Sequence, residues 1–391
     1  MKRLLAALAA LLLLSGCGAD PAPAASSAPA PAVSAPAEPE PEPVRPLPEP
    51  TPEELAAAEI EGLLSAMTTE EKVGQLFFVR CPADSAVEDA AAFHLGGFIL
   101  FGRDTKDKTA NDLIQTIQSY QDAASIPLLI GVDEEGGTVV RLSSNPHLRA
   151  RKFPSPQSLY GAGGYDAVTA DAREKDLLLS ALGFNVNLAP VADVSTDPAD
   201  FIHSRTLGQD AAATAEYVAR AVSQMREDGM GSVMKHFPGY GNNVDTHTGI
   251  AVDRRPMENF TESDFLPFSA GMAAGEGTTA VLVSHNIVEC MDPDLPASLS
   301  PAVHQVLRET LGFDGVVMTD DLAMDAVAAY AGDGSVAVMA LQAGNDLVLT
   351  TDYRTQIPKV LEAVENGTLS MDRVDQACRR VLTWKQNLGL L

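Results

Sequence analysis

The residues best suited to chemistry lie between positions 235 and 249. Lys235 and His236 follow an apolar run typical of a buried strand, and the glycines and proline after them predict a loop. Farther along, Asp245 and His247 lie two residues apart. At that spacing a carboxylate can orient an imidazole for proton transfer. An isolated Asp-x-His pair also arises by chance in surface loops, so the pair needs support from the rest of the chain.

A second position offers a carboxylate that could act on a substrate. Asp320 follows the apolar residues Val316, Val317 and Met318, so it is predicted to project from the tip of a buried strand. An aspartate between a strand and a helix is also a common helix N-cap. Of the neighbouring acidic pair, we assign the cap to Asp321 and the functional group to Asp320.

Eight short apolar runs organise residues 53–391, and each is followed by a longer stretch with helical spacing. This alternation predicts an α/β fold, a single (β/α)8 TIM-type barrel. The apolar spacing at Leu178–Leu182, Val218–Met225 and Val374–Leu382 predicts outer helices. A doubly wound open sheet is the alternative that the number of strands leaves open. The predicted strands are Gly74–Val79, Gly96–Phe101, Pro127–Val132, Phe184–Leu188, Gly231–Met234, Ala280–Val283, Gly315–Met318 and Asp346–Leu349.

Polar residues follow several of these runs, where a barrel fold places its functional groups. In such barrels the site lies at the C-terminal ends of the strands and in the loops after them. Their shared position predicts one site at one end of the barrel. The polar groups are Asp133-Glu134-Glu135 with Arg141, Lys235-His236, Ser284-His285-Asn286 and Thr319-Asp320-Asp321. We assign His285 to the barrel mouth without a catalytic role, and we expect His94, His147 and His304 at the surface.

The string from Lys235 to Gly241, Lys-His-Phe-Pro-Gly-Tyr-Gly, followed by Asp245-x-His247, resembles the motif of glycoside hydrolase family 3. The resemblance is to its single-domain β-N-acetylhexosaminidases of the NagZ type. Tyr240 replaces a histidine of the family pattern, and the spacing to Asp245 is one residue shorter. The likeness extends from Thr69 to the last predicted helix. The chain ends there, whereas larger members add a second α/β domain, which favours the hexosaminidase branch.

The resemblance implies a retaining exo-β-N-acetylglucosaminidase that forms a covalent glycosyl-enzyme. Asp320, in Thr-Asp-Asp-Leu-Ala-Met, would be the nucleophile. His247 would be the acid/base, and Asp245 would set its tautomer. The implied sugar-binding residues are Asp133, Arg141, Arg205 of the Ile-His-Ser-Arg-Thr-Leu-Gly string, Lys235 and His236. For either arginine, a salt bridge between elements is the structural alternative.

The N-terminus has the pattern of an exported lipoprotein. Residues 1–16 form a charged and then apolar signal segment that ends in a lipobox-like Leu-Ser-Gly before Cys17, the expected lipidation site. Residues 17–52 are rich in Pro, Ala, Ser and Glu, which predicts a disordered spacer. The catalytic domain is expected over residues 53–391. The lipid would be its sole membrane attachment, and the enzyme would lie outside the cytoplasm.

Composition excludes some partners. The formal net charge of −26 argues against nucleic acid, which requires a basic face.

Cys81, Cys290 and Cys378 are far apart, so we expect buried free thiols and no disulfide framework. We predict no metal, no cofactor and a monomer, and the family resemblance implies a substrate that is a β-linked N-acetylglucosamine glycan or muropeptide.

Three alternatives stay open. A related family 3 enzyme could act as a β-glucosidase or use phosphate in place of water, since a neutral histidine does not repel that anion. A sugar-binding lipoprotein without turnover is a second alternative, against which the intact Asp320, Asp245 and His247 argue. A metal hydrolase using His236 with those three residues is a third, and it lacks ligands closely spaced on one element.

Overall fold

Eight parallel strands form one sheet whose two ends meet. The computed structural model describes residues 50–243, 251–323, 327, 330, 332 and 334–391. The strands of the sheet are β1 (Phe77–Arg80), β2 (Gly97–Leu100), β3 (Leu129–Val132), β4 (Val186–Asn187), β5 (Gly231–Phe237), β7 (Thr279–Val283), β9 (Val317–Thr319) and β10 (Val348–Thr350). Two further strands, β6 (Val252–Asp253) and β8 (Ile287–Val288), pair with each other outside it.

The order of strands in the sheet follows the order of the chain. β10 pairs with β1, and the sheet then runs through β2, β3, β4, β5, β7 and β9. A parallel bridge between Met318 and Leu347 joins the last strands, so the sheet closes into a barrel. The predicted (β/α)8 barrel is confirmed, and a doubly wound sheet, which would be open, is wrong.

Each of the eight predicted apolar runs overlaps a strand, and two predicted boundaries, the start of the first run and the end of the fifth, were wrong by three residues. Gly74 and Gln75 belong to a helix, because the capping box of Thr68 with Glu71 starts a helix at Thr69 that continues through Gln75. β5 extends three residues beyond Met234, so Lys235 and His236 lie inside the strand and not in the loop after it.

Helices surround the barrel and begin at identifiable caps. Thr109 and Asp112 form a capping box at one helix start, and Asp210 accepts a hydrogen bond from the Ala213 N–H at another. All three predicted helical segments lie at least largely within observed helices. The helices are α1 (Pro52–Ala66), α2 (Thr69–Gln75), α3 (Ala86–Ala92), α4 (Gly102–Thr105), α5 (Ala110–Ala123), α6 (Pro156–Ala181), α7 (Ala211–Glu227), α8 (Met257–Asn259), α9 (Phe265–Gly275), α10 (Pro301–Gln305), α11 (Val336–Ala343), α12 (Tyr353–Glu365) and α13 (Met371–Asn387).

The barrel interior is an apolar core built from alternate strand residues. In β1, Phe78 packs inside the barrel while Phe77 and Val79 pack outward against helices, as the two-residue period of a strand requires. Trp384 of α13 packs against this inner cluster and donates from Nε1 to the Thr278 carbonyl at 2.9 Å. The inner cluster also contains Ile99, Leu129, Val186, Leu188, Val233, Ala280, Leu282, Val316, Met318, Leu347 and Leu349.

Several sequence expectations concern single residues. Cys81 and Cys378 are buried free thiols, but Cys290 is exposed, so the expectation of a buried thiol is wrong there. His304 is also buried, with Nδ1 near the Ser300 carbonyl, and is not a surface residue.

In the part of the chain that the structure describes, no helix has the length and apolar character needed to cross a bilayer. The signal segment and Cys17 lie outside the described residues.

Lys385 is a charged residue inside the apolar core. It is fully buried on α13, and its ammonium donates to Gln75 Oε1 at 2.7 Å. Burial lowers the pKa of Lys385 from 10.5 to about 7. The unfolded chain therefore binds more protons than the folded one between these values. It follows that Lys385 destabilises the fold at pH 7 and that this penalty is lost as the pH rises toward 10.5.

We expect Lys385→Met to raise the free energy of unfolding by roughly 1–3 kcal/mol at pH 7, because it removes a desolvated charge with little change in volume. The gain should shrink when urea denaturation is repeated at pH 9.5, since the wild-type lysine is then mostly neutral. The exposed Lys106→Met is the matched control. A gain that is equal at both pH values would contradict the assignment.

Candidate active site

The cavity at the barrel mouth is lined by residues that continue the inward-facing rows of the core. Two positions after the inner residue Phe78 comes Arg80, and two positions after Ile99 comes Phe101. The same step leads from Val233 to Lys235, from Met318 to Asp320, and in two steps from Leu129 to Asp133. The alternation that buries apolar residues inside the barrel thus directs these five side chains into its C-terminal mouth.

The cavity has a volume of about 370 Å³, within the range of small-molecule sites. Its base is apolar and its walls carry both signs of charge. It is lined by Arg80, Ile99, Phe101, Asp133, Glu135, Val139, Arg141, Leu188, Arg205, Lys235, His236, Leu282, Asp320, Asp321 and Leu349. The structure therefore brings together the six predicted site residues that it describes: Asp133, Arg141, Arg205, Lys235, His236 and Asp320.

Lys235 lies at the centre of an ion-pair network. Its ammonium is 2.7 Å from Asp133 Oδ1 and 2.6 Å from Glu135 Oε1. Arg205 donates to the same Glu135 carboxylate through Nε at 3.0 Å and Nη2 at 2.8 Å. Arg141 Nη2 lies 3.6 Å from Asp133 Oδ2. Arg205 therefore forms the inter-element salt bridge that was the structural alternative, whereas Arg141 pairs within the loop after β3; both arginines also line the cavity.

Electrostatics keeps this network charged despite its burial. Burial alone would raise the pKa of Glu135, but the charges of Lys235 and Arg205 outweigh it and hold that pKa below its usual range. Burial would likewise lower the pKa of Lys235, and the nearby Asp133 and Glu135 raise it instead. The cavity wall therefore keeps fixed, opposite charges at neutral pH.

His236 is oriented by a buried carboxylate. Its Nδ1 lies 2.7 Å from Asp193 Oδ2, while the other oxygen of Asp193 accepts from the Tyr240 N–H at 2.7 Å. Nε2 is 3.2 Å from Arg205 Nη2. In the neutral tautomer with the proton on Nδ1, His236 donates to Asp193 and its Nε2 accepts from Arg205. Asp193 thus fixes both the ring and the start of the following loop.

His236 lines the cavity although it directly follows the inward-facing Lys235. The pairing of β5 with β7 shifts register between Met234 and Phe237. Such an irregularity inserts an extra residue and redirects side chains near the end of a strand. The peptide bond between Lys235 and His236 is cis.

Asp320 and Asp321 have different surroundings. Asp320 accepts the N–H of Asp321 at Oδ1 (2.8 Å), and its own N–H donates to the Val283 carbonyl at the tip of β7 (3.1 Å). Asp321 accepts the Ala323 N–H at 2.9 Å and the Thr351 hydroxyl at 3.2 Å. These are the contacts of a turn-stabilising or capping aspartate, as predicted for Asp321. Burial raises the pKa of Asp321 above its usual value.

The predicted catalytic residues Asp245 and His247 lie outside the described residues. The chain leading to them is held by Asp193 and by Arg255. The Arg255 guanidinium donates to the Gly239 carbonyl at 3.1 Å. This backbone follows a path that favours glycine, since φ is +131° at Gly239.

The Arg255 contact belongs to a second buried network beside the loop. Arg255 pairs with Asp253 at 2.8 Å and with Asp264 at 3.1 Å. Asn243 Nδ2 donates to Asp253 at 2.8 Å. Burial, the largest influence, raises the pKa of Asp264 to about 6 although Arg255 acts against it. Residues on both sides of positions 244–250 are therefore joined through Asp253.

Arg80 and Asp193 have defined contacts at the site and were not noted in the sequence, whereas Glu134 and Glu135 were noted among the polar groups after β3 without an individual role. Glu134 is fully buried and accepts the N–H groups of Arg141 and Leu142, each at 2.8 Å, which shapes the loop that presents Arg141. Arg80 lies 4.5 Å from the centre of the Phe101 ring. The two-residue period could have identified Arg80, whereas the pairing of Asp193 with His236 joins residues 43 positions apart and leaves no local signal.

His285 lies beneath the site, as its place after β7 suggested. It is fully buried, with Nδ1 2.7 Å from Ser298 Oγ and Nε2 3.1 Å from the Asp321 carbonyl. It contacts the backbone that supports Asp320 and Asp321 and does not line the cavity. Among the described residues no group of three or more His, Cys, Asp or Glu is arranged to hold a metal ion.

A closed (β/α)8 barrel with carboxylates and cations around a cavity at its C-terminal mouth places the protein among the barrel enzymes. The N-terminal domain of glycosyl hydrolase family 3 matches residues 68–384. The chain therefore belongs to glycosyl hydrolase family 3, and it is a glycoside hydrolase.

Relatives in this family match most of the chain. Beta-hexosaminidase LpqI of Mycobacterium tuberculosis is 32% identical over 348 residues, which cover 85% of this chain and 87% of that protein. A solved structure of M. tuberculosis LpqI aligns with a TM-score of 0.75 at 29% identity, covering 83% of this chain and 96% of that one. A family 3 β-N-acetylglucosaminidase from Paenibacillus aligns with a TM-score of 0.77 at 32% identity, covering 83% of this chain and 63% of that one. This chain thus spans less than two thirds of the Paenibacillus protein.

We expect Glu135→Gln to lower kcat/KM by roughly 100-fold, because truncating one member of a buried charge network costs a few kcal/mol. The same change should destabilise the fold by about 3–5 kcal/mol at pH 7. Since the folded pKa of Glu135 is below its ordinary value of 4.5, this stabilisation is present at neutral pH and is lost as the pH falls below 4.5.

Steady-state kinetics and urea denaturation at pH 7 and pH 4 measure these effects. The matched control is Glu174→Gln, which breaks an exposed pair with Arg149 (2.8 Å) and should change stability by about 1 kcal/mol or less. Equal losses in the two variants would show that the buried network has no special role.

Proposed function

We propose that the protein is a retaining exo-β-N-acetylglucosaminidase that releases terminal β-linked N-acetylglucosamine. The observation that carries the proposal is the convergence of Asp320 with Asp133, Lys235 and His236 on one cavity. The names of its relatives, beta-hexosaminidase and β-N-acetylglucosaminidase, point to the same substrate class. A cavity of about 370 Å³ suits one sugar ring with its substituents.

In this proposal Asp320 attacks the anomeric carbon and forms a covalent glycosyl-enzyme, while the bond from that carbon to the leaving oxygen breaks. His247, oriented by Asp245, donates a proton to the leaving oxygen. In the second step His247 takes a proton from water, whose oxygen attacks the anomeric carbon and releases Asp320. Two displacements at one carbon retain its configuration.

The ion-pair network is suited to bind the hydroxyl groups of the sugar. Asp133 carries acceptor oxygens, and Lys235 has three N–H donors, of which two are directed to Asp133 and Glu135. Arg141 and Arg205 add donors to the same wall. Because these groups are already paired and fixed, they need little reorganisation when a hydroxyl binds.

The cellular setting belongs to the same proposal. The lipobox-like sequence at Cys17 and the Pro/Ala-rich spacer support a lipid-anchored enzyme outside the cytoplasm. Peptidoglycan fragments that end in β-linked N-acetylglucosamine are a substrate available there. We propose turnover of such fragments as its role.

Two variants test the mechanism on aryl and alkyl β-N-acetylglucosaminides. Asp320→Asn should abolish turnover of both, because no covalent intermediate forms. His247→Ala should slow the alkyl substrate at least about 100-fold more than an aryl substrate with a good leaving group, which needs less acid assistance. Equal losses on both substrates would remove His247 from the acid/base role.

The same assay addresses the alternatives when aryl β-glucoside is added and phosphate is present or absent. Faster turnover with phosphate, with a sugar phosphate as product, would mean that phosphate replaces water. Preference for the glucoside would overturn the N-acetylglucosamine assignment. Binding of N-acetylglucosamine without turnover of any substrate would indicate a sugar-binding lipoprotein.

A further inference from the structure

Phe201 is an exposed aromatic residue on an ordered loop at the barrel mouth. Its surface is 42% exposed, whereas the next residue, Ile202, is fully buried. The loop is held by the Ser195 hydroxyl, which donates to Asp200 Oδ2 at 2.7 Å, and by the Arg205 N–H, which donates to the Ile202 carbonyl at 2.9 Å. A single exposed apolar side chain is common on protein surfaces, so what distinguishes Phe201 is its anchored loop and the rings packed beside it.

A row of rings connects Phe201 with the cavity. The Phe201 and Tyr240 rings are 5.8 Å apart at an angle of 40°, and Tyr240 contacts His236 edge to face at 5.5 Å. Tyr240 is only 3% exposed, and its N–H is bound by Asp193. Tyr240 therefore supports Phe201 from behind, and the exposed face for a ligand is that of Phe201.

We propose that Phe201 is the stacking surface for the sugar on the leaving-group side of the scissile bond. This inference rests on the proposed glycosidase function. The loop with Phe201 follows β4, and His236 lies at the end of the neighbouring β5, so the row of rings leads from the cavity wall at His236 to the exposed ring of Phe201. A pyranose ring carries an apolar face of C–H groups, which packs well against an aromatic ring.

The cavity wall and the Phe201 ring suit different features of a glycan. The cavity wall has paired charges and suits the hydroxyls of the terminal sugar, whereas Phe201 offers an uncharged ring. Stacking on such a ring accepts any pyranose with a flat apolar face and does not read individual hydroxyls. The ligand class is therefore a β-linked glycan with a second pyranose next to the terminal N-acetylglucosamine. Tyr240, which stands where the family pattern has histidine, packs beside the Phe201 ring and supports it.

The test compares two substrates with similar alkoxide leaving groups. One is the β-1,4-linked disaccharide of N-acetylglucosamine, and the other is methyl β-N-acetylglucosaminide, which has no second ring. The readout is the ratio of kcat/KM for the disaccharide to that for the methyl glycoside. Phe201→Ala should lower this ratio roughly tenfold, and Phe201→Trp should restore it, because loss of the stacking contact should cost about 1.4 kcal/mol, which corresponds to tenfold.

Each outcome is informative. Leu177→Ala, which removes an exposed side chain on α6, should leave the ratio unchanged. A ratio unaltered in Phe201→Ala, or a tenfold drop also seen with Leu177→Ala, would overturn the stacking role while wild-type turnover still supports the glycosidase. If wild type hydrolyses neither substrate, the proposed function fails and the role of Phe201 fails with it.

Discussion

The site depends on the burial of Glu135 between Lys235 and Arg205. A carboxylate removed from water is costly unless cations with good geometry replace its hydration, and here two cations bind it at 2.6–3.0 Å. The three groups come from the ends of different barrel strands and their loops. Their pairing therefore fixes where the loops after β3 and β4 lie relative to β5. The positions of Asp133 and His236 follow from this arrangement, since both contact members of the network.

Several carboxylates around the mouth hold structure, whereas Asp320, like Asp133, follows a strand and continues an inward-facing row of the core. Glu134 binds backbone N–H groups, Asp193 binds His236 and Tyr240, and Asp253 binds Arg255. Each thereby gives buried donors the partner that they require. Asp320 lies just after the end of β9, two positions after Met318, whose side chain belongs to the inner core of the barrel. The structural carboxylates thereby help to keep the frame around Asp320 rigid.

Strands and inward-facing positions could be predicted from the periodicity of the sequence, whereas contacts between residues distant in the chain could not. The eight strands and the inward positions of Asp133, Lys235 and Asp320 follow from apolar runs and the two-residue alternation of strands. Glu135 could not be chosen over Glu134 in this way, because its role depends on Arg205, 70 residues away. Local chemistry also overrode periodicity: the capping box of Thr68 turns Gly74 and Gln75 from a predicted strand into helix. The burial of His304 likewise depends on tertiary packing.

The shape of the cavity supports action at chain ends. Its base is formed by Ile99, Leu188, Leu282 and Leu349, which belong to the inner barrel core, so among the described residues a ligand meets a closed apolar floor. In the proposed function a glycan would enter with its terminal sugar first, and the rest of the chain would extend outward past the rim. The charged groups of the wall lie inside the cavity and would contact the terminal sugar. Contacts at the rim would vary with the length of the glycan. In the proposed function, cleavage of one terminal residue at a time would follow from such a pocket.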